Sequence, residues 1–254
     1  MLNGGSMIDQ GRNGDQASQE TRSPQGDGRM RPEFVSAVSH ELRSPLNVIL
    51  GYGDLLLDQA FGPINEEQQD ALSRIGDNAL LLLDRLNAVL EYSRVQSGGL
   101  EIGLQEVNVA DILGAAADSA AELAHRRPEI QLEVAGADGA PLLQTDPDKL
   151  VAAINHLVHN AFKFTESGRV RISARIAPGL VEFSVSDTGI GIAPEKLATI
   201  FEPFCKLNGN GKKGFRDFGL GLYLARAYVE RLGGQLQVES QPSQGSTFRI
   251  QLPL

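Results

Sequence analysis

The sequence predicts an α+β protein: a helical hairpin that forms a dimeric four-helix bundle, followed by an α/β sandwich built on a mixed sheet. Three observations predict it. Before residue 100, apolar residues advance in alternating steps of three and four through two long stretches. After residue 104, alternation of apolar and polar residues marks five short stretches, with helical spacing between them. A chain of 254 residues, 41% of them hydrophobic, has enough apolar material for two cores.

Residues 1–30 hold Gly, Ser, Gln, Asn and Asp with almost no aliphatic or aromatic side chain. Such a segment cannot offset the entropy of ordering, so a linker or tail is expected there. Next, Val35, Val38, Leu42, Pro45, Ile49, Tyr52 and Leu56 form the seam of a long amphipathic helix. After a break at Phe61-Gly62-Pro63, Leu72, Ile75, Ala79, Leu82, Leu86 and Val89 repeat the rhythm in a second helix. A lone hairpin leaves much of Leu80, Leu81, Leu83 and Leu90 uncovered. A second copy would cover them as a four-helix bundle; the alternative is a two-helix arm packed on its own C-terminal domain. The hairpin is expected over residues 31–100.

From residue 104 to 254 the expectation is a sandwich. Strands are marked at Ile130/Leu132/Val134, at Val170/Ile172/Ala174/Ile176, at Val181/Phe183/Val185, at Leu236/Val238 and at Phe248/Ile250/Leu252. One helix starts at the N-cap Asn108, with Asp111 three residues on, and runs toward His125. Another follows Asp146-Pro147, a cap residue before a proline at the first helical position. A third, with Leu222, Ala225, Val229 and Leu232, stops at Gly233-Gly234.

Charge narrows the function. Lys and Arg number 23 against 32 Asp and Glu, a net of −9, and the basic residues form no stripe. That disfavours nucleic acid and anionic membrane as partners. The longest purely aliphatic run, Ala79 to Leu83, is far short of the roughly 20 residues that span a bilayer, so no membrane insertion is expected. Cys205 is the only cysteine, and the N-terminus has no basic segment followed by an apolar one. A reducing cytoplasm is the simplest compartment.

Four constellations carry chemistry. His40-Glu41-Leu42-Arg43-Ser44-Pro45-Leu46 lies within the first helix, with His40 between seam positions and therefore expected to face solvent. An imidazole of unperturbed pKa about 6.5 is mostly neutral near pH 7 and is a nucleophile; Glu41 can accept the hydrogen on its other nitrogen. Pro45 cannot donate to the carbonyl of Glu41, so the helix is expected to loosen or bend beside the histidine and to switch its reach there. Asn160-Ala161-Phe162-Lys163-Phe164 ends the helix that follows Asp146. Its Asn160 amide oxygen suits Mg²⁺ when phosphate and water fill the other positions, and Lys163 adds charge against phosphate. Asp187-Thr188-Gly189-Ile190-Gly191-Ile192 places a carboxylate at a strand end, suited to accept from the exocyclic amine of adenine, with two glycines allowing close approach. Last, a segment with Gly209, Gly211, Gly214, Lys206, Lys212, Lys213 and Arg216 lies between Phe201-Glu202-Pro203-Phe204 and Gly219-Leu220-Gly221-Leu222. It reads as a lid over a polyphosphate, with a helix N-terminus near Gly221 to receive an anion. Taken singly, each also suits a surface histidine, an ordinary amphipathic helix, a turn or a surface loop. His125, His156 and His159 have no zinc-ligand company.

In this order, over residues 34–252, the motifs closely resemble the catalytic core of sensor histidine kinases. Phe34 to Leu46 is similar to that family's phosphoacceptor box and Asn160 to Phe164 to its N box. Asp187 to Gly191 resembles the first glycine box, Phe201 to Phe204 the F box and Gly219 to Leu222 the second glycine box. Gly245-Ser246-Thr247-Phe248 resembles the closing turn before the last strand. The resemblance implies a dimerisation and histidine-phosphotransfer bundle followed by a GHKL-type ATP-binding domain using ATP and Mg²⁺. It implies that His40 is the phosphoacceptor, Glu41 the general base, Asn160 the Mg²⁺ ligand, Lys163 a phosphate contact and Asp187 the adenine contact. Phe164, Gly189, Gly191, Lys212, Lys213, Gly219, Leu220, Gly221 and Thr247 complete the implied nucleotide site. The implied partners are a second copy of the chain, a separate response regulator receiver domain whose aspartate takes the phosphoryl group, and an upstream sensor domain or protein.

Three positions depart from the family pattern. His156 stands where asparagine is usual, four residues before Asn160, and Asp217 stands where the second glycine box commonly has another glycine. Ser44 replaces the common threonine or asparagine tied to dephosphorylation of the regulator. It keeps a hydroxyl, so phosphatase activity is a further expectation. Two other activities remain open at this level: a GHKL-type ATPase that labels no protein, and a degenerate kinase acting as a dimeric scaffold.

Overall fold

The computed structural model describes residues 32–136, 142–205 and 218–254, with side chains from Glu41 onward. The expected tail, the His40 side chain, and the lid with Lys206, Lys212, Lys213, Arg216 and Asp217 lie outside the described residues.

Helix α1 (Pro32–Leu57) continues through Pro45. Helix α2 (Glu66–Gln96) begins with a capping box: the Asn65 side chain accepts from the Gln68 N–H at 2.8 Å, and the Gln68 side chain accepts from the Asn65 N–H at 2.9 Å. Arg43 Nη2 donates to Asn87 Oδ1 at 2.9 Å, tying the two helices together.

The seam facing the partner helix is offset from the expected one. Leu46 is buried and Leu50, Gly53, Leu56 and Leu57 are half-buried, whereas Leu42, Ile49 and Tyr52 are 47%, 45% and 60% exposed. On α2, Ala79 and Leu90 are buried and Leu72, Leu81, Leu83, Leu86 and Val89 half-buried, while Ile75, Leu80 and Leu82 are exposed. Leu90 therefore needs no second copy to cover it. The hairpin carries two apolar stripes, one spent on its own partner helix and one left facing out.

The sandwich has two parts. Strands β1 (Gln105–Asn108) and β3 (Leu142–Thr145) form a short antiparallel ribbon that the sequence pattern did not mark. With four residues each and little alternation, neither carries a period to detect. The main sheet joins β2 (Ile130–Gly136), β4 (Gly168–Ala177), β5 (Leu180–Asp187), β7 (Gly245–Pro253) and β6 (Gln235–Gln241) in the order β2-β4-β5-β7-β6. The β2–β4 pair is parallel and the others antiparallel. A parallel pair needs a crossover, and α4 (Pro147–Phe164) lies on it. α3 (Val109–Arg126), α4 and α6 (Gly221–Arg231) supply the helical layer. α5 (Pro194–Leu197) is a single turn.

Period-two alternation drives the packing. Val170, Ile172, Val181, Phe183, Val185, Ile250 and Leu252 are buried on one face of the sheet. They share a core with Ile112 and Ala116 of α3, Leu150, Ile154, Leu157 and Val158 of α4, and Leu224 and Val229 of α6.

Helix α2 also packs on the sandwich. Tyr228 of α6 donates its hydroxyl to Glu91 Oε2 at 3.0 Å, Arg94 pairs with Glu91 Oε1 at 2.8 Å, and Gln96 Nε2 donates to the Tyr223 hydroxyl at 2.8 Å. The Tyr92 ring meets Phe204 and Tyr223 edge-on, with centroids 5.3 and 5.4 Å away. Burial and the neighbouring Glu91 carboxylate push the Tyr228 hydroxyl pKa up, so it stays a donor.

Candidate active site

Helix α4 is pinned at both ends, and that places Asn160. At its start, Asp146 Oδ1 accepts from the Lys149 N–H at 3.0 Å as the N-cap, while Oδ2 accepts from the Gly103 N–H at 2.9 Å. At its end, the Phe164 carbonyl accepts from the Ile190 N–H at 3.1 Å. The loop after β5 is thus tied to the last turn of α4, and Asn160 and Asp187 face one cleft.

That cleft encloses ≈ 340 Å³, open space included, and is lined by Asn160, Phe164, Asp187, Ile190, Gly191, Ile192, Leu222, Ser246 and Phe248. Its walls are largely apolar, with few polar groups. A flat heteroaromatic ring with a polar edge matches that composition.

Asp187 sets the chemistry. Strand β5 buries two carboxylates on opposite faces, Glu182 at 3% exposure and Asp187 at 8%. Glu182 is surrounded by donors: Arg175 Nε at 2.7 Å, Gln251 Nε2 at 2.9 Å and Arg249 Nε at 3.9 Å. The bond from Arg175 holds its carboxyl below the usual range against the opposing effect of burial. Asp187 makes no ion pair among the described residues. Its Oδ1 accepts from the Gly189 N–H at 2.8 Å, and the Ser246 N–H helps to hold it. Burial outweighs these two donors and pushes its pKa up. A buried carboxylate supplied, among the described residues, by backbone donors alone and set on the wall of a cleft is suited to receive a ligand N–H.

The two glycines of this loop answer first to the chain itself. A Cβ on Gly189 would lie 2.4 Å from the Phe164 carbonyl oxygen, and one on Gly191, at φ +65°, 1.9 Å from that of Gln241. Gly191→Ala is therefore expected to cost at least about 2 kcal/mol and to displace the loop that holds Asp187. A urea midpoint lowered at constant slope checks it.

Other expected site residues sit differently. Gly189 borders the cleft through its bond to Asp187 but does not line it. Lys163 Nζ lies 4.7 Å from the centroid of the Phe164 ring, outside the lining. Thr247 shares a 2.9 Å hydrogen bond with Ser186, its cross-strand partner, while Ser246 takes the cleft position. Gly219, at φ +72°, packs against Cys205, where a Cβ would lie 2.3 Å from the carbonyl oxygen. Leu220 is buried in the core, and Gly221 opens α6, which has no side-chain cap. His156 stacks on Tyr228, with centroids 6.2 Å apart, and is absent from the lining. Glu41 and Ser44 are exposed on α1. The lining residues not named among the expected site residues are Ile190, Ile192, Leu222, Ser246 and Phe248. All five lie inside the quoted motifs: Ile190 and Ile192 in the run from Asp187, Leu222 at the end of the second glycine box, and Ser246 and Phe248 in the closing turn.

Two family models match the chain. Residues 30–98 match the His Kinase A (phospho-acceptor) domain, and residues 145–254 match the histidine kinase-, DNA gyrase B- and HSP90-like ATPases. The circadian input-output histidine kinase CikA of Synechococcus elongatus is 34% identical over 87% of this chain and 30% of its own length. The sensor protein TorS of Escherichia coli is 36% identical over 87% of this chain and 24% of its own. The chain thus spans less than a third of the length of either relative. The crystal structure of full-length ShkA in complex with AMPPNP superimposes with a TM-score of 0.72 and 31% identity, over 88% of this chain and 46% of that one. No helix among the described residues is long and apolar enough to cross a membrane. A phosphoacceptor-type hairpin followed in chain order by an ATPase fold of this kind places the chain in the sensor histidine kinase family, of which it carries the catalytic core with its GHKL ATPase domain.

Proposed function

We propose that the chain transfers the γ-phosphoryl group of ATP to His40 and passes it on to an aspartate of a separate response regulator. The observation that carries this reading is Asp187, a buried carboxylate with no cation partner among the described residues, on the wall of an apolar cleft facing Asn160. The unit of transfer is the hairpin, residues 31–100; the nucleotide unit is residues 104–254.

In this reading the adenine amine donates to Asp187, and Ile190, Ile192 and Phe248 cover the ring. The uncapped N-terminus of α6 offers backbone N–H groups to phosphate, together with Lys163, Lys212 and Lys213. Asn160, a half-buried hard oxygen donor at the cleft, fits a Mg²⁺ that takes its remaining ligands from phosphate and water. Bound there, the ion would neutralise charge on the phosphates. Transfer is in line through a loose transition state, so positioning and charge neutralisation carry the rate. The free lone pair of His40 forms the N–P bond as the bond to the ADP oxygen breaks, and Glu41 accepts the proton from the other ring nitrogen. Ser44, one turn beyond His40, can orient water for the reverse hydrolysis of the regulator phosphate. An upstream sensor domain or protein would set which activity dominates.

The outward stripes of Leu42, Ile49, Tyr52, Ile75 and Leu82 support a homodimer. In a two-fold bundle each substitution counts twice, so Ile49→Asp is expected to raise the dimer dissociation constant by about 100-fold or more. Sedimentation velocity over a concentration series tests it; an unchanged dimer refutes this face. Steady release of inorganic phosphate with no labelled chain would instead favour an ATPase, and failure to bind Mg-ATP a scaffold.

A further inference from the structure

The last four carbonyls of a helix have no donors within it. For α4, the helix that presents Asn160, these are Ala161, Phe162, Lys163 and Phe164. The Ala161 carbonyl accepts from the cap residue Thr165 at 3.1 Å, and that of Phe164 from Ile190 at 3.1 Å. The Phe162 carbonyl accepts from a side chain distant in sequence, Arg127 Nη1, at 3.4 Å. Arg127 Nη2 also donates to the carbonyls of Thr165 at 3.1 Å and Glu166 at 3.4 Å. Its Nε is taken by Glu129, and that guanidinium holds the Glu129 carboxyl below the usual range. Arg127 itself caps the C-terminus of α3.

One planar cation, itself outside the cleft lining, thus braces the end of α4 at the negative end of the helix dipole. Asn160 immediately precedes that turn and Phe164 ends it, and the Phe164 carbonyl holds the Asp187 loop. We propose that Arg127 is a positioning residue for nucleotide binding: it touches no nucleotide, but fixes the turn that sets Asn160 against Asp187. This rests on the reading of the cleft as the ATP site.

The test uses the full chain with Mg²⁺. ATP affinity is measured by displacement of trinitrophenyl-ATP, and KM and kcat by autophosphorylation, in wild type, Arg127→Met and Arg127→Lys. Circular-dichroism melts report folding. Arg127→Met is expected to raise Kd and KM for ATP roughly tenfold, the loss typical of charge-assisted hydrogen bonds. A smaller fall in kcat should accompany it, because the loosened turn also positions Asn160, the proposed Mg²⁺ ligand. Arg127→Lys keeps the cation but not the fork, and should fall between. A folded Arg127→Met with wild-type affinity, or a fall in kcat at unchanged KM, overturns the proposal. Should Arg127→Met not fold, Arg127→Lys decides: wild-type affinity there overturns it, and weakened affinity supports it. A wild-type chain that binds no ATP overturns the cleft reading and this inference together, whereas the first two outcomes overturn the brace alone.

Discussion

Asp187→Asn is expected to lower ATP affinity by at least about 100-fold, roughly 2.7 kcal/mol, while leaving the sandwich folded. The asparagine oxygen can keep the Gly189 N–H, but its NH₂ then meets the adenine amine, donor against donor. The unliganded protein should not suffer, because a buried charge with no cation partner among the described residues is removed. The pH dependence follows from the same shift. The folded pKa lies above the unfolded one, so the folded state holds the proton more tightly, and stability falls as pH rises from the unfolded value through the folded one. Ionisation costs the free protein stability, and a bound amine offsets that cost. Wild-type ATP affinity should therefore fall on acidification sooner than an ordinary carboxylate would allow. In Asp187→Asn the melting curve loses this contribution. Calorimetric titration and thermal melts at several pH values check both parts. An asparagine variant that binds ATP as wild type does would remove Asp187 from the site.

His40→Gln should show the opposite separation. Glutamine is close in size but offers no nucleophilic nitrogen, so protein labelling is expected to vanish. ATP affinity should stay within about twofold, because no part of the cleft is changed. Labelling that persists would shift the acceptor to another residue. Binding that falls with labelling would make His40 part of the nucleotide site.

Local chemistry made much of this legible in the sequence. Asn108 and Asp146 cap their helices through bonds to backbone two or three residues away, and Gly233 follows α6 at positive φ. Such signals involve neighbours in the chain and need no tertiary knowledge. The hairpin seam was legible as a period but not as a direction. Leu42, Ile49 and Tyr52 keep helical spacing as well as Leu46, Leu50, Gly53 and Leu57 do, and only packing decides which stripe meets α2. Asp187 could be found because a strand ends on it, whereas Ser246 becomes its neighbour only through the β5–β7 register. A shift of one residue along that strand turns Thr247 toward Ser186 and Ser246 toward the cleft. Gly189 and Gly191 were legible as glycines needed for close approach. That the approaching atoms are the chain's own Phe164 and Gln241 carbonyls required the fold. Arg127 carried no signal of its role at the end of α4, since the partners it holds there lie 35 to 39 residues away and are backbone oxygens, which every residue type offers.

Incubating the wild-type chain with γ-labelled ATP and Mg²⁺, then mapping the label by its stability and by peptide sequencing, tests the central claim most directly. An acid-labile, base-stable label confined to the peptide containing His40 is expected. Inorganic phosphate released from an unlabelled chain, or a label on any other peptide, would contradict it.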